Sequence, residues 1–335
     1  MKVLVTGATG FLGGSVVARL LAHGEEDLRV IARPGARRDR IEAAHARYPR
    51  AHIEYLAANL VSRADAAGAV ADVDVVYHLA ASMKGAPADM FLNTVVGTRY
   101  LLEALATRPS ARLVLVSSFS VYGVATLPRG AAVNEDTPLE PHPDRRDVYG
   151  QAKLRQELLC REHAGKSIGE LVVLRPGVIY GEEGAGISAR VGLSLFGLFL
   201  RLGGKNLLPL SYVENCAEAI VVAGRASAAA GQTYNVHDDD LPTCAAYLAA
   251  YEKAVRPMPG ISVPYPVLRA LSRGLEGYHR WSKGQLPAIF TPYKVAATWG
   301  GNRFDNHKIK GIGWRQLVPT SEGMRRTFAW INSMR

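Results

Sequence analysis

Cysteine is scarce in this chain, with Cys160, Cys216 and Cys244 its three occurrences in 335 residues. They lie far apart and match neither a CxxC nor a zinc-ligand spacing. That excludes a disulfide-stapled scaffold and a zinc ribbon, and it predicts buried free thiols and no metal site. No apolar run reaches the ~20 residues that span a bilayer. The longest, Val191 to Leu202, reads VGLSLFGLFLRL, with Arg190 before it and Arg201 inside it. A buried helix or a wall of a substrate pocket is expected there, with interfacial membrane contact the minor alternative. Met1 to Gly7 carries neither the long apolar core nor the cleavage signal of a secretory peptide, so a cytosolic (cytoplasmic) protein is expected. Internal repeats and low-complexity linkers are missing too. Acidic residues are fewer than basic ones, 30 against 40, and residues 251–335 hold the whole imbalance with fourteen Lys and Arg against four Asp and Glu. These cations are spread among Pro, Gly and aromatics and form no arm, which argues against nucleic acid and for an anionic substrate or cofactor, or an acidic membrane surface.

What is present is enough apolar sequence, 48% of residues, to bury a sizeable core. Short β-branched runs alternate with helical stretches at βαβ spacing. Strands are predicted at Lys2–Thr6, Leu28–Ala32, Ile53–Ala57, Val73–Leu79, Arg112–Ser117 and Leu171–Arg175. Helices are predicted at Gly13–Ala22, Arg63–Ala69, Asn93–Ala106 and Tyr149–His163. Strands apolar at consecutive positions belong in a parallel sheet covered on both faces. The expected fold class is therefore α/β, a Rossmann-type doubly wound parallel sheet over residues 1–180. Residues 181–335 are expected to form mainly a smaller substrate-binding lobe, with some segments returning to the first domain.

The stretch GATGFLGG, residues 7 to 14, follows the first strand and opens the first helix. In that context Gly7 permits the turn, Gly10 lets backbone approach a pyrophosphate and Gly13 lets helix and strand pack closely. Backbone N–H groups from Thr9 to Gly13, those of Phe11 and Leu12 among them, face the anion. The second strand ends in RVIARPGARR, so Arg33 stands where an acid would accept the ribose 2′-hydroxyl of NAD. An arginine there suits the 2′-phosphate of NADP, which makes NADP(H) the favoured cofactor and NAD(H) the alternative. Glu25, Glu26 and Asp27, ahead of that strand, are expected merely to solvate a loop.

Tyr149 and Lys153 in DVYGQAKLRQ are four apart on a helix and share a face. A neighbouring ammonium would lower the phenol's pKa and let Tyr149 exchange a proton with a substrate oxygen. About 30 residues upstream a buried strand ends in VSSFSVYG, where Ser118 could hold the same oxygen. Ser117 and Ser120 remain rivals for that role.

GATGFLGG, YHLAA at 77–81, NTVVGT at 93–98, SSFSVYG at 117–123, YGQAK at 149–153 and LRPGVIYG at 174–181 together resemble the extended short-chain dehydrogenase/reductase superfamily. The resemblance implies a catalytic set of Ser118, Tyr149 and Lys153, the serine being the one four residues before Tyr122. It places Ala80 and Ala81 beside the cofactor, Asn93 in a supporting role, and Pro176 to Val178 near the nicotinamide. Asn59, with Leu60 after it, stands where the family usually has an aspartate near the adenine. A homodimer paired through the helices at Asn93–Ala106 and Tyr149–His163 is implied as well.

Three departures narrow the reading. Phe119 and Ser120 stand where related dehydratases carry an Asp-Glu pair. In LPLSYVEN, Leu208 replaces the arginine with which related nucleotide-sugar epimerases grip a diphosphate, and Asn215 replaces an acid. The tail RFDNHKIKGIGWRQLVPTSEGMRRTFAWI is similar to the C-terminal end of the 3β-hydroxysteroid dehydrogenase and dihydroflavonol-reductase-like branch, and to that of several bacterial sugar epimerases. The resulting expectation is an NADP(H)-dependent oxidoreductase interconverting a ketone and a secondary alcohol on a small, largely apolar or sugar-like substrate. The alternatives are a nucleotide-sugar 4-epimerase with tightly bound NAD and a non-catalytic dinucleotide-binding protein.

Overall fold

The computed structural model describes residues 1–184, 186–195, 197–282 and 290–334. Among these residues seven strands form the main sheet: β1 Val3–Thr6, β2 Asp27–Ile31, β3 His52–Leu56, β4 Val75–His78, β5 Arg112–Val116, β6 Glu170–Pro176 and β7 Thr233–Val236. Their order is β7-β6-β5-β4-β1-β2-β3, and every neighbouring pair is parallel. The chain winds outward in both directions from β1, which places a crevice for ligands at the carboxyl ends of β1 and β4.

Alternation within each strand explains the continuous apolar runs. Val3 and Val5 of β1 belong to one buried cluster and Leu4 to another on the opposite face. Val114 and Val116 of β5 face the first cluster, and Leu113 and Leu115 the second. The first face is covered by α1 (Phe11–Ala22) and the second by α2 (Arg63–Ala69), α3 (Gly97–Leu105) and α4 (Val148–His163). The chain also returns to the first face with α5 (Val213–Arg225), whose Ala217, Ile220 and Val221 are buried with Val16 and Leu20 of α1. Arg19 of α1 donates to Glu218 of α5 at 2.6 Å.

Several boundaries differ from the sequence reading for physical reasons. Glu25 is buried and ion-paired with Arg225 at the end of α5, so it is a structural tie and no loop solvator. Asn93 does not begin a helix. It lies in a π-helical turn, Leu92–Val96, between the short helix Pro87–Phe91 and α3. Val191–Leu202 holds no helix among its described residues. Gly192–Leu195 pairs antiparallel with Leu198–Arg201, and Gly197 at φ 79° makes the turn. Leu193 and Leu195 alternate, as do Leu198 and Leu200, which is the period of a strand. Gly260–Ser262 adds a third, parallel strand to this small sheet. Helix α6 spans Tyr265–Trp281. All three cysteines are free and buried.

Candidate active site

The glycine stretch is built as a cradle. Gly7 sits at φ 71°, a conformation that L side chains rarely adopt, and a Cβ there would meet the Ala80 backbone N at 2.9 Å. A Cβ on Gly13 would lie 2.1 Å from the Gly7 carbonyl oxygen. These contacts bring the end of β1, the segment after β4 and the start of α1 together, with Ala80 and Ala81 half-buried beside the loop. Gly10 caps α1 without any side-chain hydrogen bond, so the first-turn N–H groups that include Phe11 and Leu12 keep capacity for an anion. Thr9, Gly10, Phe11, Arg37 and Arg40 line one concavity at this loop. A dinucleotide pyrophosphate fits such a donor set.

At the end of β2, Arg33 is exposed. Among the described residues it has no ion pair, whereas Arg37 pairs with Asp39 and Arg38 lies over the Tyr55 ring at 4.7 Å. Arg33 is thus the cation left available there. The Asn59 amide oxygen accepts from Val61 N at 3.3 Å, a local turn bond that leaves its Nδ2 without a partner among the described residues. Leu60 is buried against α2 and α3, and it packs under Gly97. Asn93 donates through Nδ2 to the Asp89 carbonyl at 2.8 Å, which ties the π-turn to the helix before it. Pro176 ends β6, and Val178 begins a strand parallel to Leu210–Tyr212.

Ser118, Tyr149 and Lys153 come from the end of β5 and the first turns of α4. Asp147 caps α4 by accepting from Gly150 N at 3.2 Å, which starts the helix just ahead of Tyr149. The three serines separate cleanly. Ser117 donates to buried Glu157 at 2.6 Å, and the Ser120 hydroxyl is buried with no partner among the described residues. Ser118 accepts from Ser120 N at 3.1 Å and is the serine whose hydroxyl acts on Tyr149. Burial raises the Tyr149 pKa above its ordinary value, the Ser118 hydroxyl opposes the rise, and Asp147 adds to it. The lowering expected from Lys153 does not occur here. Lys153 spends two of its three donors elsewhere, on the Val116 carbonyl and on Gln156 Oε1, both at 2.6 Å, and burial drops its pKa to about 8.

Motif reading missed what Lys153 is anchored to. Gln156 donates through Nε2 to Thr98 Oγ1 at 2.8 Å and to the Ala80 carbonyl at 3.2 Å. Thr98 donates to the Thr94 carbonyl at 2.5 Å, so its oxygen must accept from His78 Nε2 at 2.8 Å. His78 is then the Nε2–H tautomer, and its Nδ1 accepts from Thr6 Oγ1 at 2.7 Å. Burial holds His78 down at about 3, hence neutral. The chain Thr6–His78–Thr98–Gln156–Lys153 ties the glycine-bearing strand to the catalytic helix. Gln156, one turn beyond Lys153 on the same face, was the available signal.

Arg190, noticed in sequence only as a flank of an apolar run, is half-buried, with no side-chain hydrogen bond or ion pair among the described residues. Burial, then the nearby Arg146, lowers its pKa, while Cys244 and Asp147 act in the opposite sense. Arg146 itself pairs with buried Glu140 at 2.8 Å. An uncommitted guanidinium therefore sits near Asp147, two residues from Tyr149. By contrast Leu208, at the epimerase arginine position, is fully buried in an apolar cluster. Asn215 is structural, accepting from Leu317 N and Val318 N at 3.0 and 2.9 Å.

Residues 3–236 match the family model described as the NAD dependent epimerase/dehydratase family. The N-acetyl-alpha-D-glucosaminyl-diphospho-ditrans,octacis-undecaprenol 4-epimerase of Escherichia coli O157:H7 is 27% identical, with 78% of each chain covered. The 3-beta-hydroxysteroid dehydrogenase of Mycolicibacterium neoaurum is 25% identical across 99% of this chain and 92% of its own. Among solved structures, gox2253 superposes with a TM-score of 0.78 at 21% identity, covering 99% of this chain and 98% of its own. The UDP-glucose 4-epimerase of Thermus thermophilus, in complex with NAD, gives 0.71 at 21% identity over 99% of both. At these identities the structures speak for the fold.

Proposed function

Because the chain belongs to the NAD dependent epimerase/dehydratase family, an NAD(P)-dependent group of extended short-chain enzymes, we propose that it interconverts a ketone and a secondary alcohol, with NADP(H) the favoured dinucleotide. The observation that carries this reading is the placement of Ser118 beside Tyr149 at the carboxyl end of the sheet, with the phenol held in its protonated form. A protonated phenol is a general acid, suited to give its proton to a carbonyl oxygen as that oxygen becomes a hydroxyl. Ser118 would hold the same oxygen, and Lys153, anchored by the Val116 carbonyl and Gln156, keeps one N–H for the cofactor. When bound, the dinucleotide supplies the hydride; the protein supplies orientation and the proton. Arg33 supports the choice of NADP(H) over NAD(H).

A second reading, 4-epimerisation of a sugar with NAD retained, is favoured by Arg190. A guanidinium near Asp147 with no ion pair among the described residues can hold the phosphate of a glycosyl diphosphate, and the E. coli relative acts on a sugar carried by a polyprenol diphosphate. Mass spectrometry of the denatured, desalted protein separates the two. Tightly retained NAD would establish the epimerase reading, and an empty site that binds NADPH reversibly the reductase one. In either case Tyr149→Phe lowers kcat by roughly a hundredfold or more while dinucleotide binding persists. Full activity in that variant would remove Tyr149 from the reaction.

A further inference from the structure

Gln156 is fully buried, and both ends of its amide are engaged. Oε1 accepts from the Lys153 ammonium at 2.6 Å, while Nε2 donates to Thr98 Oγ1 at 2.8 Å and to the Ala80 carbonyl at 3.2 Å. This orientation is forced by the partners. Lys153 can only donate, the Ala80 carbonyl can only accept, and Thr98 Oγ1 already gives its proton to the Thr94 carbonyl. The position therefore needs an acceptor facing the lysine and donors facing the other way. Glutamine meets that need. An ionised glutamate has no proton for the Ala80 carbonyl, methionine has no N–H at all, and asparagine is a methylene short of joining both ends.

The two acceptors that hold Lys153, Gln156 and the Val116 carbonyl of β5, are both neutral. The ionisable groups around it leave its charge uncompensated by any direct pair. Glu157 of α4 favours the ammonium from a distance but is claimed by Arg175, Arg161 and Ser117. Cys160, also of α4, has its thiol pushed up to about 12 by burial and is uncharged at neutral pH. His78 of β4 is neutral and Tyr149 is protonated, while α3 presents the Thr98 hydroxyl. Burial is thus the largest influence on Lys153 and brings it to about 8. A buried cation in this state depends on its neutral hydrogen bonds.

Gln156 also reaches toward the glycine turn. Ala80, whose carbonyl it holds, donates its N–H to Thr6 Oγ1 at 3.2 Å, and that nitrogen lies 2.9 Å from where a Cβ on Gly7 would stand. We propose that Gln156 is a positioning residue, which holds the direction and charge of Lys153 and registers it against the Ala80 side of the dinucleotide cradle, so that a buried amide sets the grip on the cofactor. It rests on the reading of Lys153 as a cofactor-binding lysine and adds a residue outside the tyrosine–lysine motif. Supporting groups locked by packing and hydrogen bonds are what keep such a side chain in productive geometry.

The test is NMR of the full chain carrying isotope-labelled lysine, with the Lys153 signal identified by its loss in Lys153→Met and followed as pH rises. The wild-type midpoint is expected at about 8. Gln156→Met removes an acceptor from the charged form and should lower the midpoint by about one pH unit, whereas Gln156→Glu sets a carboxylate against the ammonium and should raise it by about as much or more. Opposite shifts are the signature, because lost packing alone would lower the melting temperature of both variants without driving the lysine in two directions. The NADPH dissociation constant, read from cofactor fluorescence, is expected to rise severalfold above each protein's own midpoint. Should either variant fail to fold, Gln156→Asn keeps the amide but cannot join both ends, and it should shift the midpoint as Gln156→Met does. Midpoints that coincide with wild type, or that move the same way in the Met and Glu variants, would overturn the role of Gln156. Lys153→Met separates this from the underlying reading: NADPH bound as tightly as by wild type would sink Lys153 as a cofactor ligand, while the NMR midpoints still judge Gln156.

Discussion

Arg190 tests how much of substrate recognition rests on one side chain. Its guanidinium is half-buried and uncommitted, whereas the arginine position familiar from nucleotide-sugar epimerases is filled here by core Leu208. A buried cation without a partner is unfavourable in the free protein and gains most when an anion or a strongly polar group arrives. Arg190→Ala is therefore expected to raise KM by roughly tenfold or more with kcat nearly unchanged, a contribution to binding shared by ground and transition states. Steady-state kinetics on whichever substrate class proves active would measure it. An unchanged KM would return Arg190 to the role of a surface residue. Sequence inspection could see the arginine but not that, among the described residues, it has no side-chain hydrogen bond or ion pair, which only the tertiary structure decides.

Helix α4 carries more than the tyrosine and lysine that its motif advertises. Glu157, fully buried on the same helix, accepts from Arg175 of β6 at 2.5 Å, from Arg161 at 2.8 Å and from Ser117, just past β5, at 2.6 Å. Burial pushes its carboxyl upward, but Arg175, Ser117 and Arg161 outweigh that and hold it below the ordinary range. Arg175 also lies over the Tyr122 ring at 4.6 Å, and Tyr122 donates to Asn235 of β7 at 2.6 Å. One carboxylate thus clamps α4 to β6 and to the end of β5. Glu157→Ala leaves the Arg175 charge buried and uncompensated, and the expected loss is about 3–5 kcal/mol in chemical denaturation at neutral pH. Because the folded pKa is depressed, this contribution is complete above the ordinary value of 4.5 and disappears as pH falls through the folded value. The gap between wild type and variant should narrow accordingly in acid. A constant gap would mean that packing, and not charge, holds α4.

For the molecule as a whole, the candidate dinucleotide site draws on β1, β2, β4, α1 and α4, elements that together span most of the main sheet. A ligand that binds only when these are assembled stabilises the entire fold by about 2.7 kcal/mol at a hundred times its dissociation constant. Thermal melts are thus expected to shift upward by about 4 °C with NADPH for a chain of this size, and by less with NADH. Equal or reversed shifts would remove Arg33 as the selector.

The glycine stretch, the six strands from β1 to β6 and the tyrosine–lysine pair were legible in the residues because each is a local pattern. A strand buried on both faces must be apolar throughout, a pyrophosphate turn must have glycine at Gly7, and two side chains four apart must share a helical face. Strand β7 and helix α5 were not legible. Their partners, β6 and α1, lie 60 to 200 residues away in the chain, and nothing local marks TYNV as the edge of this sheet. The choice among Ser117, Ser118 and Ser120 was equally beyond local pattern, since it depends on Glu157 claiming the first and on Tyr149 facing the second. So was the outward face of α6. Which of its sides meets water depends on the packing of Leu268 against Val295 and Trp299. Short-range sterics and hydrogen bonding write themselves into the order of residues. Burial and the pairing of distant charges arise only when the chain has closed on itself.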